Sequence, residues 1–398
     1  MTKPGFEASE PDSRIPFALP DVGEAEIAEV VAALRSGWVT TGPRVHRLEE
    51  EFAAAVGAPY ALAVNSATSG LHLSLEACGV SEGDAVIVPT VTFAASAETV
   101  RYLGAHPVFA DVDPATGLMT AELAVAAAER AAGAGRRVKA VMPVHLGGQA
   151  CEMDEILESA TALGAKVVED AAHSFPATYR GRSVGHLGDF TVFSFYATKP
   201  MTTGEGGMVT TSDEAAAAQM KIMRLHGIDR DAWDRYNRDE PGWYYEVVAP
   251  GYKYNMTDVA AAMGIQQLHR TEEMWLRRSE IAAEYQRSFA GTRIRPLRVV
   301  RPEDRHAWHL FVVRLGDGLD RDEFVSSLGR AGVGSSVHFI PLHRMPYYRD
   351  TYELDPGRFP GAEEYYASCV SLPIYSRMSD ADVARVVAVC RAAAGADE

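Results

Sequence analysis

The chain has 398 residues, of which 47% are apolar and 23% are charged. This balance is typical of a globular protein with a large buried core, and the length favours two domains over one. The net charge of −16 is spread along the chain. Because such a surface repels phosphate backbones, nucleic acid is excluded as an expected partner.

The cysteines and the N-terminal region indicate a reducing compartment. Four cysteines lie far apart, without the paired spacing of a metal site or the density of a disulfide-rich fold: Cys78, Cys151, Cys369 and Cys390. Residues 1–14 are polar and acidic, and no apolar run reaches the length of a membrane span. We therefore expect a cytoplasmic protein with no metal site and no membrane partner.

From about residue 60, short apolar runs alternate with amphipathic segments, which predicts a mainly parallel sheet covered by helices. The predicted strands are Tyr60–Asn65, Ala85–Thr92, Pro107–Val112, Val138–His145, Lys166–Ala172, Phe190–Phe195 and Gly207–Thr211. Helices are predicted between several of them, at Ser69–Cys78, Ser96–Leu103 and Glu152–Leu163. The fold class is therefore α/β.

The alternation of apolar runs and amphipathic segments stops at residues 227–250, where charged and aromatic side chains predict a long, packed, functional loop. A helical segment at Asp258–Phe289 follows, and then a mixed α/β tail with elements at Trp308–Leu315, Asp322–Ala331 and Gly334–Ile340. We predict three parts: an N-terminal arm (1–28), a large domain (29–250), and a small C-terminal domain with a connecting helix (251–398).

One lysine follows a buried strand. Phe190–Phe195 leads into a loop that contains Lys199, several threonines and glycines, and the next strand. Only lysine offers a primary amine that a protein can deprotonate, and a free lysine is neutral in only about one molecule in two thousand at pH 7. A desolvated pocket at this strand end would make Lys199 a Schiff-base lysine. The alternative is a surface lysine on a loop.

Two further strand ends carry polar side chains. The strand Lys166–Ala172 ends in acids, and Asp170 and His173 lie where ligands bind in open α/β sheets. A carboxylate there would keep a pyridine nitrogen protonated, with an interaction of about 4 kcal/mol at 4 Å in an effective dielectric of about 20. Alternatively, Asp170 is a helix N-cap and His173 a satisfied core histidine.

The third strand end is Asn65-Ser-Ala-Thr68-Ser69, where a helix begins. Free N–H groups and hydroxyls converge there as a phosphate site, although Ser and Thr are also the usual N-caps. An aromatic residue, Phe93, follows the next strand. An amine, an acid, a phosphate site and an aromatic ring together predict pyridoxal 5'-phosphate (PLP) as the cofactor.

The chain resembles the DegT/DnrJ/EryC1/StrS aminotransferases over roughly residues 15–390. The motifs that carry this resemblance are Ser36-Gly-Trp-Val-Thr-Thr-Gly-Pro43, Asp170 with His173, Ser194-Phe-Tyr-Ala-Thr-Lys199 with Gly204-Glu-Gly-Gly207, Gly251-Tyr-Lys-Tyr-Asn-Met-Thr-Asp258, Trp308-His-Leu-Phe311 and His338-Phe-Ile-Pro-Leu-His343. The resemblance implies PLP-dependent transferase fold type I, the aspartate aminotransferase fold, and a homodimer with shared active sites.

The resemblance also implies roles for individual residues. Lys199 would carry the cofactor and shuttle a proton, Asp170 would hold the pyridine nitrogen, and His173 would lie near the ring hydroxyl. Phe93 would stack on the ring, and Thr68, Ser69 and Ser194 would hold the phosphate.

One position differs from the family. Many members carry Asn where this chain has Lys253, in a loop that reaches the partner subunit's phosphate. Because Asn255 lies close by, Lys253 and Asn255 are both candidates for that contact, and the segment is alternatively only the start of a helix.

The resemblance implies amino transfer from an amino acid, expected to be L-glutamate, to the ketone of a nucleotide-linked keto sugar. Lysine at 199, where some similar sugar dehydratases carry histidine, favours transamination. His338, His343 and the 227–250 loop are candidate substrate contacts, although both histidines are equally consistent with packed structural roles. The alternatives are a non-nucleotide cyclic ketone such as an inosose, or a PLP-binding regulatory protein without turnover.

Overall fold

The computed structural model describes residues 14–229 and 243–395. Its main sheet consists of the seven strands predicted from the sequence, in the order β1-β9-β8-β5-β4-β2-β3. These strands are β1 (Tyr60–Val64), β2 (Ala85–Pro89), β3 (His106–Ala110), β4 (Val138–Val141), β5 (Lys166–Asp170), β8 (Phe190–Ser194) and β9 (Gly207–Thr211). All neighbours from β8 to β3 pair in parallel, and only β9 runs antiparallel to its neighbours. The prediction of a mainly parallel sheet is confirmed.

Both faces of this sheet are buried, which explains the apolar runs. On β2, Ile87 packs into one core, whereas Val86 and Val88 pack into another on the opposite face. Side chains alternate across a strand, so a strand covered on both faces needs apolar residues at every position.

Helices cover the sheet and continue into the C-terminal part. In chain order they are α1 (Glu24–Ser36), α2 (Pro43–Val56), α3 (Ala67–Ala77), α4 (Ala94–Tyr102), α5 (Ala121–Gly133), α6 (Met153–Leu163), α7 (Glu214–Met223), α8 (Asp258–His269), α9 (Thr271–Phe289), α10 (Arg321–Arg330), α11 (Pro346–Tyr352), α12 (Pro360–Ser368) and α13 (Asp380–Ala393). In the described residues, no helix is both long and apolar enough to cross a membrane.

A small antiparallel sheet follows, with the order β10-β11-β12. Its strands are β10 (Ile294–Pro296), β11 (Phe311–Leu315) and β12 (Cys369–Leu372), and a separate two-stranded hairpin is formed by β6 (Thr178–Tyr179) and β7 (Arg182–Ser183). Residues of α9, α10 and α13 pack with this sheet in a core of their own. The segment Gly334–Ile340 forms no strand and contacts the sheet at Ser371, through a bridge from Ser336 and a side-chain contact from His338.

The predicted helical segment Asp258–Phe289 is two helices that meet at Arg270. The first of them, α8, packs against α1 and α2, and its residues Ala261 and Ile265 belong to the core beneath the large sheet. The proposed ranges 1–28, 29–250 and 251–398 remain a prediction. Residues 230–242 of the predicted functional loop lie outside the described residues.

Candidate active site

A cavity of about 410 Å³ opens where the parallel strands end at their carboxyl termini. This edge is the expected ligand site of an open α/β sheet. The structure brings many of the predicted site residues together in its wall: Thr68, Phe93, Asp170, His173, Ser194, Lys199 and His338.

Lys199 lies in the loop between β8 and β9, where its N–H donates to the carbonyl of Tyr196 at 2.9 Å. Burial lowers the pKa of Lys199 to about 8, although the charge of Asp170 acts in the opposite direction. Removing a cation from water favours its neutral form. A much larger fraction of this lysine is therefore neutral, and able to react as a nucleophile or accept a proton near neutral pH, than of a lysine on the surface.

Asp170 ends β5 and is almost fully buried. Its Oδ2 accepts a hydrogen bond from Ser96 Oγ at 2.7 Å, and its Oδ1 accepts from the N–H of Ala172 at 3.2 Å. The Ser96 hydroxyl also contacts Thr92 Oγ1 at 2.7 Å. These contacts fix the carboxylate in one orientation within the cavity wall.

A second polar network anchors the same strand on its other face. Glu169 Oε1 accepts from the N–H of Gly188 and the hydroxyl of Thr191, both at 2.7 Å, and Oε2 lies 2.9 Å from His145 Nε2. Glu169 and His145 are both fully buried. Because every oxygen of the carboxylate has a partner, the network holds the strand end rigidly beside Asp170.

His173 presents one defined ring nitrogen to the cavity. Its Nδ1 lies 3.2 Å from the N–H of Gly147, which can only donate, so Nδ1 accepts and the proton is on Nε2. Burial, together with the charges of Lys199 and His338, lowers the pKa of His173 well below its usual value. His173 is therefore a neutral hydrogen-bond donor.

The N-terminus of α3 forms another wall of the cavity. The Oγ of Ser66 caps the helix by accepting the N–H of Ser69 at 3.1 Å. The N–H groups of Ala67 and Thr68, in the first turn, have no acceptor within the helix, and Ser194 lies opposite on β8. This arrangement suits a phosphate. Ser69 does not line the cavity, and its Oγ donates to Asn65 Oδ1 at 2.5 Å.

Two further predicted residues, Phe93 and His338, line the cavity. Phe93, with 62% of its surface exposed, has its ring centroid 6.1 Å from that of Phe339. His338 Nδ1 lies 2.8 Å from the hydroxyl of the buried Ser371. Both residues lie in the wall at positions where they can contact a ligand that enters.

His343 is held outside the cavity in a packed position. Its side chain is fully buried, with Nδ1 2.8 Å from Thr90 Oγ1 and Nε2 2.7 Å from Glu363 Oε1. Its ring stacks on Phe359 with the centroids 4.4 Å apart. The sequence could not separate a substrate contact from a structural histidine here, and the geometry is that of a structural histidine.

Lys253 and Asn255 also lie outside this cavity. Lys253 Nζ donates to Asn255 Oδ1 at 2.6 Å, and Asn255 Nδ2 donates to Thr41 Oγ1 at 2.7 Å. Asn255 lines a neighbouring cavity of about 430 Å³, and Glu205 lines both cavities. This position is compatible with a role towards another subunit.

The sequence missed several residues of the site. Ser96 and Thr92 orient Asp170, and His309 and Phe339 line the cavity. Thr92 directly precedes the predicted Phe93, and His309 lies within the motif Trp308-His-Leu-Phe311, but hydroxyls and single histidines are too common for the sequence alone to assign them a role.

Comparisons with known proteins agree with this architecture. The model of the DegT/DnrJ/EryC1/StrS aminotransferase family matches residues 20–391. The spore coat polysaccharide biosynthesis protein SpsC of Bacillus subtilis (strain 168) is 46% identical over 381 residues, which are 95% of this chain and 96% of SpsC.

Solved structures give the same result. Spr1654 of Streptococcus pneumoniae, in its PLP form, superposes with a TM-score of 0.87 at 33% identity, covering 96% of this chain and 99% of that one. PseC of Helicobacter pylori, an aminotransferase involved in the biosynthesis of pseudoaminic acid, has a TM-score of 0.87 at 25% identity, covering 96% and 100%.

The fold and the site define a PLP-dependent aminotransferase of fold type I. The chain belongs to the DegT/DnrJ/EryC1/StrS aminotransferase family.

Proposed function

We propose that this aminotransferase moves the amino group of L-glutamate to the ketone of a nucleotide-linked keto sugar, so that an amino sugar nucleotide is formed. The observation that carries the proposal is the amine of Lys199, with its pKa lowered to about 8, in one cavity with the buried carboxylate of Asp170. The names of SpsC and PseC connect relatives to polysaccharide and pseudoaminic acid biosynthesis, which supports a sugar as the acceptor.

The cavity fits PLP in its chemistry. When bound, PLP supplies an electron sink for the carbon that carries the amino group. Asp170 would hold the pyridine nitrogen in its protonated form, and His173 would donate through Nε2 to the ring oxygen. The first turn of α3, Thr68 and Ser194 would hold the phosphate, and Phe93 would cover one face of the ring.

Lys199 has two roles in this proposal. It would bind the cofactor covalently in the resting enzyme, and once released by an amino acid it would move a proton between the substrate and cofactor carbons. A base with a pKa of about 8 is well matched to proton transfer near neutral pH. The walls of the cavity would exclude bulk water from that transfer.

We also propose that the enzyme works as a homodimer with shared sites in the cytoplasm. Lys253 or Asn255 of one subunit would contact the phosphate held by the other, which explains why neither lines the cavity of its own chain. His338 would contact the sugar, and the 227–250 loop stays a candidate for the nucleotide.

The test is the absorbance of the bound cofactor before and after addition of L-glutamate, for the wild type and for Lys199→Ala, followed by addition of nucleotide-linked keto sugars. We expect glutamate to convert the wild-type spectrum to the amino form and a keto sugar to restore it. Lys199→Ala should show neither the lysine-bound spectrum nor catalytic turnover.

Other outcomes would reject specific parts of the proposal. Restoration of the spectrum by an inosose and by no nucleotide sugar would contradict the proposed acceptor. A wild-type spectrum that glutamate never changes would support a regulatory PLP-binding protein instead.

A further inference from the structure

His309 is a buried polar side chain in the cavity that the roles described above leave unexplained. Only 7% of its surface is exposed, and it lines the same cavity as Lys199. Within the described residues, neither ring nitrogen has a hydrogen-bond partner, and Nδ1 is completely buried. Because Nδ1 is enclosed by protein, only Nε2 can gain a partner, and a ligand in the cavity would supply it.

The backbone around His309 is fixed on both sides. Trp308 adopts a left-handed conformation with φ of 50°. Its N–H donates to His306 Nδ1 at 2.9 Å, and its carbonyl accepts from Nη1 of the buried Arg278 at 3.2 Å. A non-glycine residue persists in this region only where its surroundings enforce it. The backbone that carries His309 is therefore held in place before any ligand binds.

The backbone of Gly147 positions His309 beside His173. The N–H of Gly147 donates to His173 Nδ1, and the carbonyl of Gly147 accepts from the N–H of Leu310 at 3.1 Å. The two imidazole centroids lie 4.4 Å apart. His309 thus lies beside His173, the residue to which the proposed function assigns a contact with the cofactor ring.

The charge of the ring limits what it can bind. Burial and the positive charge of Lys199 lower the pKa of His309 well below its usual value, so the ring is neutral. A neutral imidazole carries one proton, and placing it on the fully buried Nδ1 would leave a donor unpaired. The proton therefore belongs on Nε2, the nitrogen that remains for the cavity.

We propose that His309 Nε2 donates a hydrogen bond to a hydroxyl oxygen of the keto sugar, on the carbon next to the reacting ketone. This inference rests on the proposed function, because it assigns a further contact to the same acceptor. A hydroxyl suits a neutral donor, whereas the carboxylates of L-glutamate would favour a cation. His309 then contributes to selection of the keto sugar that receives the amino group, and not to selection of the amino acid that supplies it.

The experiment measures the two half-reactions separately, by the cofactor spectrum in single turnovers. The variants are His309→Phe, which keeps an aromatic ring without polar atoms, and His309→Gln, which restores a donor at similar reach. The control is His72→Phe, because His72 is also a buried histidine, with 4% exposed, but lies outside the cavity, where its Nδ1 is 3.0 Å from the hydroxyl of Tyr254.

The probes are L-glutamate and nucleoside-diphosphate-linked keto-hexoses, each hexose paired with a counterpart that lacks the hydroxyl next to the ketone. In His309→Phe we expect an unchanged glutamate half-reaction and an acceptor half-reaction slowed about tenfold or more. Removing the hydroxyl should slow the wild type similarly and His309→Phe no further. His309→Gln should recover part of the rate, and His72→Phe should behave as the wild type in both half-reactions.

Three results would overturn the inference alone. The first is equal slowing of both half-reactions in His309→Phe, which would mean that His309 acts through His173 on the cofactor. The second is slowing of the glutamate half-reaction only. The third is no slowing of either half-reaction. If the wild type reacts with glutamate but with no nucleotide-linked sugar, the proposed function fails and the inference fails with it.

Discussion

At the scale of single residues, the amine of Lys199 controls how the cofactor is captured. Burial lowers its pKa to about 8, so in the cofactor-free protein the amine is mostly protonated below that pH and mostly neutral above it. Only the neutral amine attacks an aldehyde. We predict that the rate constant for covalent capture of PLP by the cofactor-free protein rises with pH through about 8 and then levels off.

Stopped-flow absorbance over a pH series measures this rate constant directly. Lys199→Ala is the control for reaction of PLP at other lysines, and it should show no covalent capture of PLP at any pH. A rate that kept rising to the pKa of an ordinary lysine, about 10.4, would contradict the lowered pKa.

Ser96 carries a second prediction at the residue scale, because its hydroxyl donates to Asp170 Oδ2 at 2.7 Å. A hydrogen bond to a charged group contributes about 1.5–3 kcal/mol, so Ser96→Ala should slow the glutamate half-reaction about tenfold or more. Asp170→Asn should be far slower still, since a neutral amide cannot stabilise the protonated pyridine nitrogen by charge.

The control for Ser96 lies on the same helix. Thr99 is also buried, and its hydroxyl donates to the carbonyl of Ala95 and not to the site. Thr99→Val should therefore retain the wild-type rate. Equal rates in Ser96→Ala and Thr99→Val would show that the orientation of Asp170 does not depend on Ser96.

At the scale of secondary-structure elements, a glycine lets α3 approach the sheet. A side chain at Gly207, at the start of β9, would place its Cβ 2.8 Å from the backbone N of Ala67 and 2.8 Å from the carbonyl of Phe193. Both neighbours are backbone atoms, so the helix N-terminus would have to move. We predict that Gly207→Ala weakens PLP binding and lowers the free energy of unfolding, as measured by cofactor titration and denaturant unfolding.

Gly133 provides the matched substitution. It lies in α5, and a Cβ there would meet no atom within 4 Å. Gly133→Ala should leave PLP binding unchanged and stabilise the fold by up to about 0.5–1 kcal/mol. If Gly207→Ala bound PLP as tightly as Gly133→Ala, close packing of α3 would not be needed for the phosphate site.

The elements that were predictable are those with a repeating pattern. All seven strands of the main sheet were located because burial on both faces requires continuous apolar runs bounded by polar residues. The strand Cys369–Leu372 was missed because it follows α12 directly, without a turn signal. The break at Arg270 was missed as well, because it involves neither Gly nor Pro.

The site was only partly predictable, for a related reason. Asp170 and Thr68 lie directly at a strand end and a helix start, and Lys199 lies in the loop that follows a strand, so the chain itself indicates which edge of the sheet they occupy. His309 and His338 come from irregular segments and His343 from a short 3-10 helix. Only the three-dimensional structure shows that the first two line the cavity while His343 packs between Thr90 and Glu363.

At the scale of the whole molecule, the proposed dimer makes a site dependent on two chains. Lys253 is exposed and lies outside the cavity of its own chain. Its Nζ donates to Asn255 Oδ1 at 2.6 Å, and an ammonium group has further protons with which to donate to an anion. If that anion is the phosphate in the partner subunit, loss of Lys253 weakens PLP binding in the other chain's cavity.

Mixed dimers test this dependence. Lys199→Ala and Lys253→Ala chains are purified separately, each expected to be nearly inactive at limiting PLP, and then allowed to exchange subunits. In a symmetric dimer, a mixed pair contains one site with both lysines and one with neither, so random exchange should restore about a quarter of the wild-type activity. If Lys253 acts within its own chain, no mixed pair contains a complete site and activity stays at the level of the separate variants.

Repeating the exchange with Asn255→Ala in place of Lys253→Ala shows which of the two side chains reaches across, because only a residue that acts on the partner's phosphate can be complemented in this way.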